Sequence, residues 1–148
     1  MNRITIYTDG GCSGNPGRGA WAFILLAGNT RVERSGSSPS TTNNRMEQSA
    51  VIAALQEVLR HDDWSSGAIE VFTDSRYLEL GITLWIYNWE RNNWKTSAKK
   101  QVKNQDLWKE LRSLSKPLQI RWNWIKAHAG NELNEACDRM VQEAMGRH

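Results

Sequence analysis

Polar and apolar residues alternate over residues 3–8 (RITIYT), the period-two pattern of a strand with one buried face. Residues 20–27 (AWAFILLA) and 30–36 (TRVERSG) read as two more strands, joined by a tight hairpin turn at Gly28-Asn29. The intervening residues 10–19 (GGCSGNPGRG) are expected to form a glycine-rich turn, and residues 38–42 a Ser/Pro/Thr loop. The period then changes. Residues 43–60 (NNRMEQSAVIAALQEVLR) have helical spacing, with Asn43 or Asn44 near the helix start. Residues 68–73 (AIEVFT) form a short apolar strand, and residues 75–90 and 99–114 return to helical spacing around a polar, basic stretch. Residues 118–125 (LQIRWNWI) alternate again, with Leu118, Ile120, Trp122 and Trp124 on one face, and a last helix runs from about 132 to 146. The order βββ, α, β, two or three α, β, α predicts one domain, 1–148, built on a mixed sheet with a leading antiparallel meander.

Composition narrows the class. With 148 residues, 39% of them hydrophobic and 24% charged, the chain suits one soluble core. No signal peptide and no membrane-length apolar run is visible, which points to the cytoplasm and away from a membrane partner. Cys12 and Cys137 lack zinc-type spacing and read as two free thiols. The net charge of +3 is unevenly spread: residues 1–74 carry −2 and residues 75–148 carry +5. Either an acidic site and a polyanion-binding surface lie in different halves, or a solvated surface varies by chance.

Two strands end alike, Tyr7-Thr8-Asp9-Gly10 and Phe72-Thr73-Asp74-Ser75, and each places an aspartate just past the strand's carboxyl end, the edge where α/β sheets bind ligands. As parallel neighbours, about 4.8 Å apart, they would share one crevice; alternatively both are turn or cap residues. Glu47 lies on a helix face with Val51, Ala54, Leu55 and Val58, a costly place for an unpaired carboxylate. Its structural alternative is a capping box with Asn44 as the N-cap. Asp138 heads a stripe with Val141 and Met145, where an acid near a helix start is also ordinary. Four converging carboxylates would favour Mg²⁺ or Mn²⁺ over zinc, in the two-metal arrangement of phosphoryl chemistry.

His128, in a loop of small residues, suits proton transfer near neutral pH or is a surface histidine without a role. Gly17-Arg18-Gly19-Ala20-Trp21-Ala22 matches a dinucleotide fingerprint, but a strand follows it where a helix is required, and no GK[ST] is present. In residues 85–103 (WIYNWERNNWKTSAKKQVK) five Lys/Arg, among them Lys99 and Lys100, face a single acid, interleaved with Trp85, Trp89 and Trp94. The segment suits a phosphate backbone and its sugars, or packs its tryptophans and solvates its charges.

These residues resemble one known family. Thr8-Asp9-Gly10, Gly14-Asn15-Pro16-Gly17, Thr41-Thr42-Asn43-Asn44-Arg45-Met46-Glu47, Thr73-Asp74-Ser75, Gly81-Ile82-Thr83 with Trp85, Asn88-Trp89 and Trp94-Lys95-Thr96, His128-Ala129-Gly130, and Asn134-Glu135 through Asp138 occur in the order and spacing of bacterial type 1 ribonuclease H. The resemblance spans Ile4 to about Met145. It implies an α/β fold, a five-stranded mixed sheet of order 3-2-1-4-5 flanked by helices. It implies an endonuclease that hydrolyses the RNA strand of RNA–DNA hybrids, leaving 5′-phosphate and 3′-hydroxyl ends. Asp9, Glu47, Asp74 and Asp138 would hold two Mg²⁺, with Mn²⁺ a substitute. Asp9 would bridge the ions, Asp138 hold the one that activates water, and Glu47 with Asp74 the one near the leaving oxygen.

The same resemblance assigns His128 to proton movement or product departure, and Asn15 with Thr42 to a DNA-strand phosphate. Cys12, Asn15, Asn44 and Arg76 would meet the RNA strand, and residues 85–103, with Trp85, Lys99 and Lys100, would be a basic substrate-binding protrusion. The expected partner is an RNA–DNA hybrid duplex, bound by a monomer. Three departures from the family pattern stand out: Ala127 in place of glycine before the histidine, Ala20 and Ala22 in place of glycines, and Arg76 in place of a common glutamine. The alternatives are a non-catalytic hybrid-binding module and another nuclease of the same architecture, such as a DNA resolvase.

Overall fold

The computed structural model describes residues 3–146; Met1, Asn2, Arg147 and His148, the ends of the expected 1–148 domain, lie outside the described residues. Five strands form one sheet in the order β3-β2-β1-β4-β5, as expected. They are β1 (Arg3–Cys12), β2 (Gly17–Ala27), β3 (Thr30–Thr41), β4 (Ala68–Thr73) and β5 (Gln119–Trp124). The first three are an antiparallel meander; β1 with β4 and β4 with β5 are parallel. Parallel neighbours require crossovers, which α1 (Asn43–Leu59), the short α2 (Asp62–Ser65), α3 (Arg76–Leu80), a π-helical turn (Gly81–Trp85), α4 (Ile86–Arg91) and α5 (Gln105–Ser115) provide. Helix α6 (Glu132–Ala144) follows β5.

Helices cover both faces of the sheet. On one face Ile4, Ile6, Phe23 and Leu25 join Val51, Leu55 and Val58 of α1 and Trp108 and Leu111 of α5 in the main core. Leu118, Ile120 and Trp122 pack against that core, so the alternation in β5 points where the sequence indicated. On the other face, Ala20 and Ala22 pack against Val141 of α6 and Met145, its C-cap, and Tyr7 and Ile24 against Cys137. The alanines that depart from the family pattern therefore supply methyl contacts beneath α6. Among the described residues no helix is long and apolar enough to cross a membrane.

Three boundaries differ from expectation. The turn expected over residues 10–19 shrinks to residues 13–16, because β1 and β2 continue pairing through Cys12 and Gly19. The glycines serve close approach more than turning. A Cβ at Gly10 would collide with the Met46–Glu47 backbone, and one at Gly19 with Thr41 and the Gly11 carbonyl. Residues 38–41 are strand and not loop, laid against Gly17–Gly19 across a register shift. The helix expected from residue 99 starts at Gln105. Lys99 and Asn104 take positive φ angles of 61° and 60°, and Lys95 pairs with Gln101, so residues 95–101 fold into a turn that interrupts helical propagation.

Candidate active site

The site forms where β1 and β4 part. Their parallel pairing ends at Tyr7 opposite Phe72, while β1 runs on against β2. Asp9 therefore lies inside β1, opposite Ala22, and not just past its end as expected; Asp74 does follow the last residue of β4. Helix α1 closes the crevice because glycine at position 10 lets its first turns press onto β1. Thr42 is the N-cap, its hydroxyl accepting from the Arg45 N–H at 3.3 Å, which makes Glu47 the fifth helical residue. The capping box with Asn44 is thereby excluded: the glutamate faces inward with the apolar stripe. Nor does Arg45 pair with it, because its guanidinium grips Asp106 on α5 at 3.0 and 2.8 Å.

Asp9, Glu47 and Asp74 offer oxygens that all lie within 4.8 Å of one another. Asp9 is 6% exposed and Glu47 8%. Burial first, then the carboxylates of Asp74 and Asp138, push the Asp9 pKa up to about 8. Burial, then Asp9 and Asp74, holds the Glu47 carboxyl well above the ordinary range. Asp138 falls outside the three-residue group but lies beside Asp9, near enough for a carboxyl–carboxylate hydrogen bond. None of the ion pairs among the described residues involves these four acids, and Glu47 Oε1 is buried without a protein partner. Desolvated, mutually repelling carboxylates with an orphaned oxygen are incomplete as a protein-only arrangement. Their all-oxygen donor set fits a hard divalent cation.

Two residues that sequence reasoning did not single out hold Asp74. Asn134, buried in the first turn of α6, donates its side-chain amide to Oδ2 at 3.2 Å, and the Trp124 indole donates to the Asp74 carbonyl at 3.1 Å. A signal for Asn134 exists: it stands one turn before Asp138, on the same helical stripe. Cys137, on the same helix, has its thiol raised to about 12, chiefly by burial, and donates weakly to the Tyr7 carbonyl. Both cysteines are free thiols.

The remaining expected site residues fall into three groups. Cys12, Asn15, Thr42 and Asn44 gather around the N-terminus of α1. Asn15 Oδ1 accepts from the Asn43 N–H at 2.9 Å, the Cys12 thiol donates to the Gly17 and Thr41 carbonyls, and Asn44 is exposed. Exposed Arg76 lies at the end of β5, its guanidinium 3.8 Å from the centre of the Trp124 ring. Trp85 belongs to a chain of aromatic contacts, Trp85–Trp89 at 6.0 Å and Trp89–Trp108 at 5.5 Å, that anchors the 85–103 segment in the core. Lys99 and Lys100 are exposed on that segment, where Arg91, Lys95 and Lys99 line a depression of about 530 Å³. His128 is exposed at φ 57°, between β5 and α6 and outside the acidic group.

Known proteins share this architecture along its whole length. The family model for RNase H matches residues 1–146. The ribonuclease H of Treponema denticola is 51% identical over 153 aligned positions, covering 95% of this chain and 96% of that protein. That of Nitrobacter hamburgensis is 48% identical, covering 98% and 93%. Among solved structures, LC9-RNase H1 superposes with a TM-score of 0.85 at 28% identity, over 99% of this chain and 73% of that one. LC11-RNase H1 in complex with an RNA/DNA hybrid superposes with a TM-score of 0.73 at 26% identity, over 97% and 96%. The family match over residues 1–146, the relatives at about half identity and the shared fold lead to one conclusion: this chain belongs to the ribonuclease H family.

Proposed function

We propose that this chain is an endonuclease that hydrolyses the RNA strand of RNA–DNA hybrids, leaving 5′-phosphate and 3′-hydroxyl ends. The observation that carries the proposal is the group of Asp9, Glu47 and Asp74, gathered within 4.8 Å and mostly buried, in a fold whose relative LC11-RNase H1 is solved with a hybrid. Asp9, Glu47 and Asp74, with Asp138 beside Asp9, would hold two Mg²⁺, or Mn²⁺ in their place. Bound there, such ions supply charge neutralisation at the scissile phosphate and an activated water.

The protein's own groups do the rest. Asp9 and Asp138 orient the attacking side from β1 and α6, and Glu47 and Asp74 hold the leaving side from α1 and the end of β4. His128, on an exposed turn, assists proton movement or product departure. Asn15 and Thr42, side by side at the N-terminus of α1, form the pocket for a DNA-strand phosphate. Cys12, Asn15, Asn44 and Arg76 face the RNA strand. Segment 85–103 is the protrusion, in which Lys99 and Lys100 attract the backbone and Trp85 ties the segment to the core. The chain is one catalytic domain, 1–148, acting as a monomer in the cytoplasm.

A binding module gains nothing from unpaired acids turned towards phosphates, and the Thr41–Glu47 and His128–Gly130 motifs favour ribonuclease H over a DNA resolvase. The test is one end-labelled RNA strand presented free, paired with DNA and paired with RNA, alongside the all-DNA duplex, in Mg²⁺ or EDTA. Cutting confined to the hybrid and abolished by EDTA is expected. Binding without cutting would support the module, and efficient cutting of the DNA duplex would support another nuclease.

A further inference from the structure

The end of β5 carries a contact that none of the roles above uses. Thr73 is the last residue of β4 in register with β5, opposite Trp124, and the Ile125 N–H closes that ladder on the Thr73 carbonyl at 2.9 Å. One residue further, Asp74 leaves the ladder. There the Trp124 indole N–H reaches the Asp74 carbonyl at 3.1 Å, in effect extending the ladder with a side chain. The other face of this contact is cationic. The Arg76 guanidinium stacks 3.8 Å from the centre of the Trp124 ring while Arg76 Nη1 reaches Glu79 Oε1 at 3.1 Å. The Arg76 side chain stays 59% exposed, so its remaining N–H groups face solvent at the rim of the crevice.

We propose that Trp124 is a positioning residue, which sets the carboxylate of Asp74 through its indole N–H and the guanidinium of Arg76 through its ring face. One rigid side chain thereby fixes the spacing between a cation ligand and a substrate-side cation. The arrangement depends on arginine at position 76, because a guanidinium stacks on an indole and keeps edge donors free for phosphate or a 2′-hydroxyl. It also makes the two halves of the contact separable. The N–H governs Asp74, hence cation affinity and the chemical step; the ring face governs Arg76, hence hybrid binding.

The inference rests on the proposed hybrid cleavage only for its kinetic readout, so the experiment has an arm that needs no turnover. Trp124→Phe keeps an aromatic face and removes the donor. In this variant the Mg²⁺ affinity, followed by NMR shifts of the Gly10 and Ser75 amides, is expected to fall about five- to ten-fold, the size of one lost neutral hydrogen bond. The value of kcat should fall by a similar factor with KM nearly unchanged. Trp124→Leu removes both halves and should add an increase in KM, the same increase expected of Arg76→Gln alone. In the wild-type protein without metal, the Trp124 indole N–H should exchange with solvent far more slowly than an exposed indole. Rapid exchange of that proton, or a Trp124→Phe protein with lowered Tm but wild-type Mg²⁺ affinity and kcat, overturns the proposal. If the wild type cuts no hybrid at all, the functional reading fails while the Mg²⁺ and exchange measurements still decide the role of Trp124.

Discussion

Asn134 and Asp74 are joined by a hydrogen bond of 3.2 Å from side-chain amide to carboxylate Oδ2, between residues 60 apart in the chain. Asn134 is 3% exposed, and the N-cap Asn131 fixes its helical turn by accepting the Asn134 backbone N–H at 3.0 Å. The bond leaves Asp74 oriented from α6, the helix that also carries Asp138, so two elements that meet only in the fold share control of one carboxylate.

Asn134→Ala removes a hydrogen bond to a charged group, worth about 1.5–3 kcal/mol. If that orientation is used in the transition state, kcat falls roughly ten- to a hundred-fold, with KM nearly unchanged. Steady-state kinetics on a hybrid substrate check this. A rise in KM alone would place Asn134 in substrate binding.

The acidic group makes stability and cation binding depend on pH in a defined direction. Asp9 has its pKa raised from 3.8 to about 8 in the folded, metal-free protein. A raised folded-state value favours the protonated form. Its contribution to stability is therefore complete below pH 3.8 and is lost as pH rises through about 8. The metal-free protein should melt at a lower temperature at about pH 9 than at about pH 6. Cation binding must displace that proton, so the rise in Tm caused by Mg²⁺ should grow over the same interval and then level off. Melting curves with Mg²⁺ and with EDTA across this range measure it. A Mg²⁺-induced shift that does not vary with pH would contradict the assignment.

Gln48 offers a stability test away from the chemistry. It is fully buried in α1, and neither amide atom has a partner among the described residues. An unsatisfied buried amide costs about 1–3 kcal/mol. Gln48→Leu, close in volume, should raise Tm by roughly 2–4 °C for each kcal/mol recovered. A lowered Tm would mean that the amide is hydrogen-bonded in solution.

How much of this was legible in the sequence depends on the range of the interaction. The echo of Thr8-Asp9-Gly10 and Thr73-Asp74-Ser75 marked two of the acids, and the apolar stripe of α1 marked Glu47, because strand ends and helix faces are local patterns. The continuation of β1 past Asp9 was not legible. Gly10 and Gly11 read as turn residues, and only the approach of α1 shows that Gly10 is there to admit another backbone. The start of α5 was missed for a related reason: helical spacing over 99–104 is overridden by left-handed backbone at Lys99 and Asn104 and by burial of Val102 against the core. The grips on Asp74 by Asn134 and Trp124 join separate elements; the spacing of Asn134 to Asp138 places both on one helical stripe but does not show which strand-end acid Asn134 reaches, and no spacing marks Trp124. The tryptophans of 85–103 proved structural in part, through Trp108, while the lysines stayed exposed.

Those lysines should act on binding and not on chemistry. Lys99→Ala combined with Lys100→Ala should raise KM and leave kcat within a few-fold. The slope of log K against log salt should flatten by about 0.9 for each duplex phosphate that is no longer neutralised, and by less on a hybrid. Titrations at low and high salt test this. Unchanged affinity at both would make the segment a solvated face and move the electrostatic footprint towards Arg76 and Lys126.

The most direct measurement compares wild type with Asp9→Asn on one labelled hybrid in Mg²⁺, following binding and cleavage in the same samples. Asp9 sits at the centre of the acidic group, and the substitution removes a ligand while lowering negative charge beside the phosphates. The variant is expected to bind the hybrid at least as tightly as wild type and to leave its RNA strand uncut. Cleavage at more than about a tenth of the wild-type kcat would contradict a cation-dependent mechanism centred on Asp9.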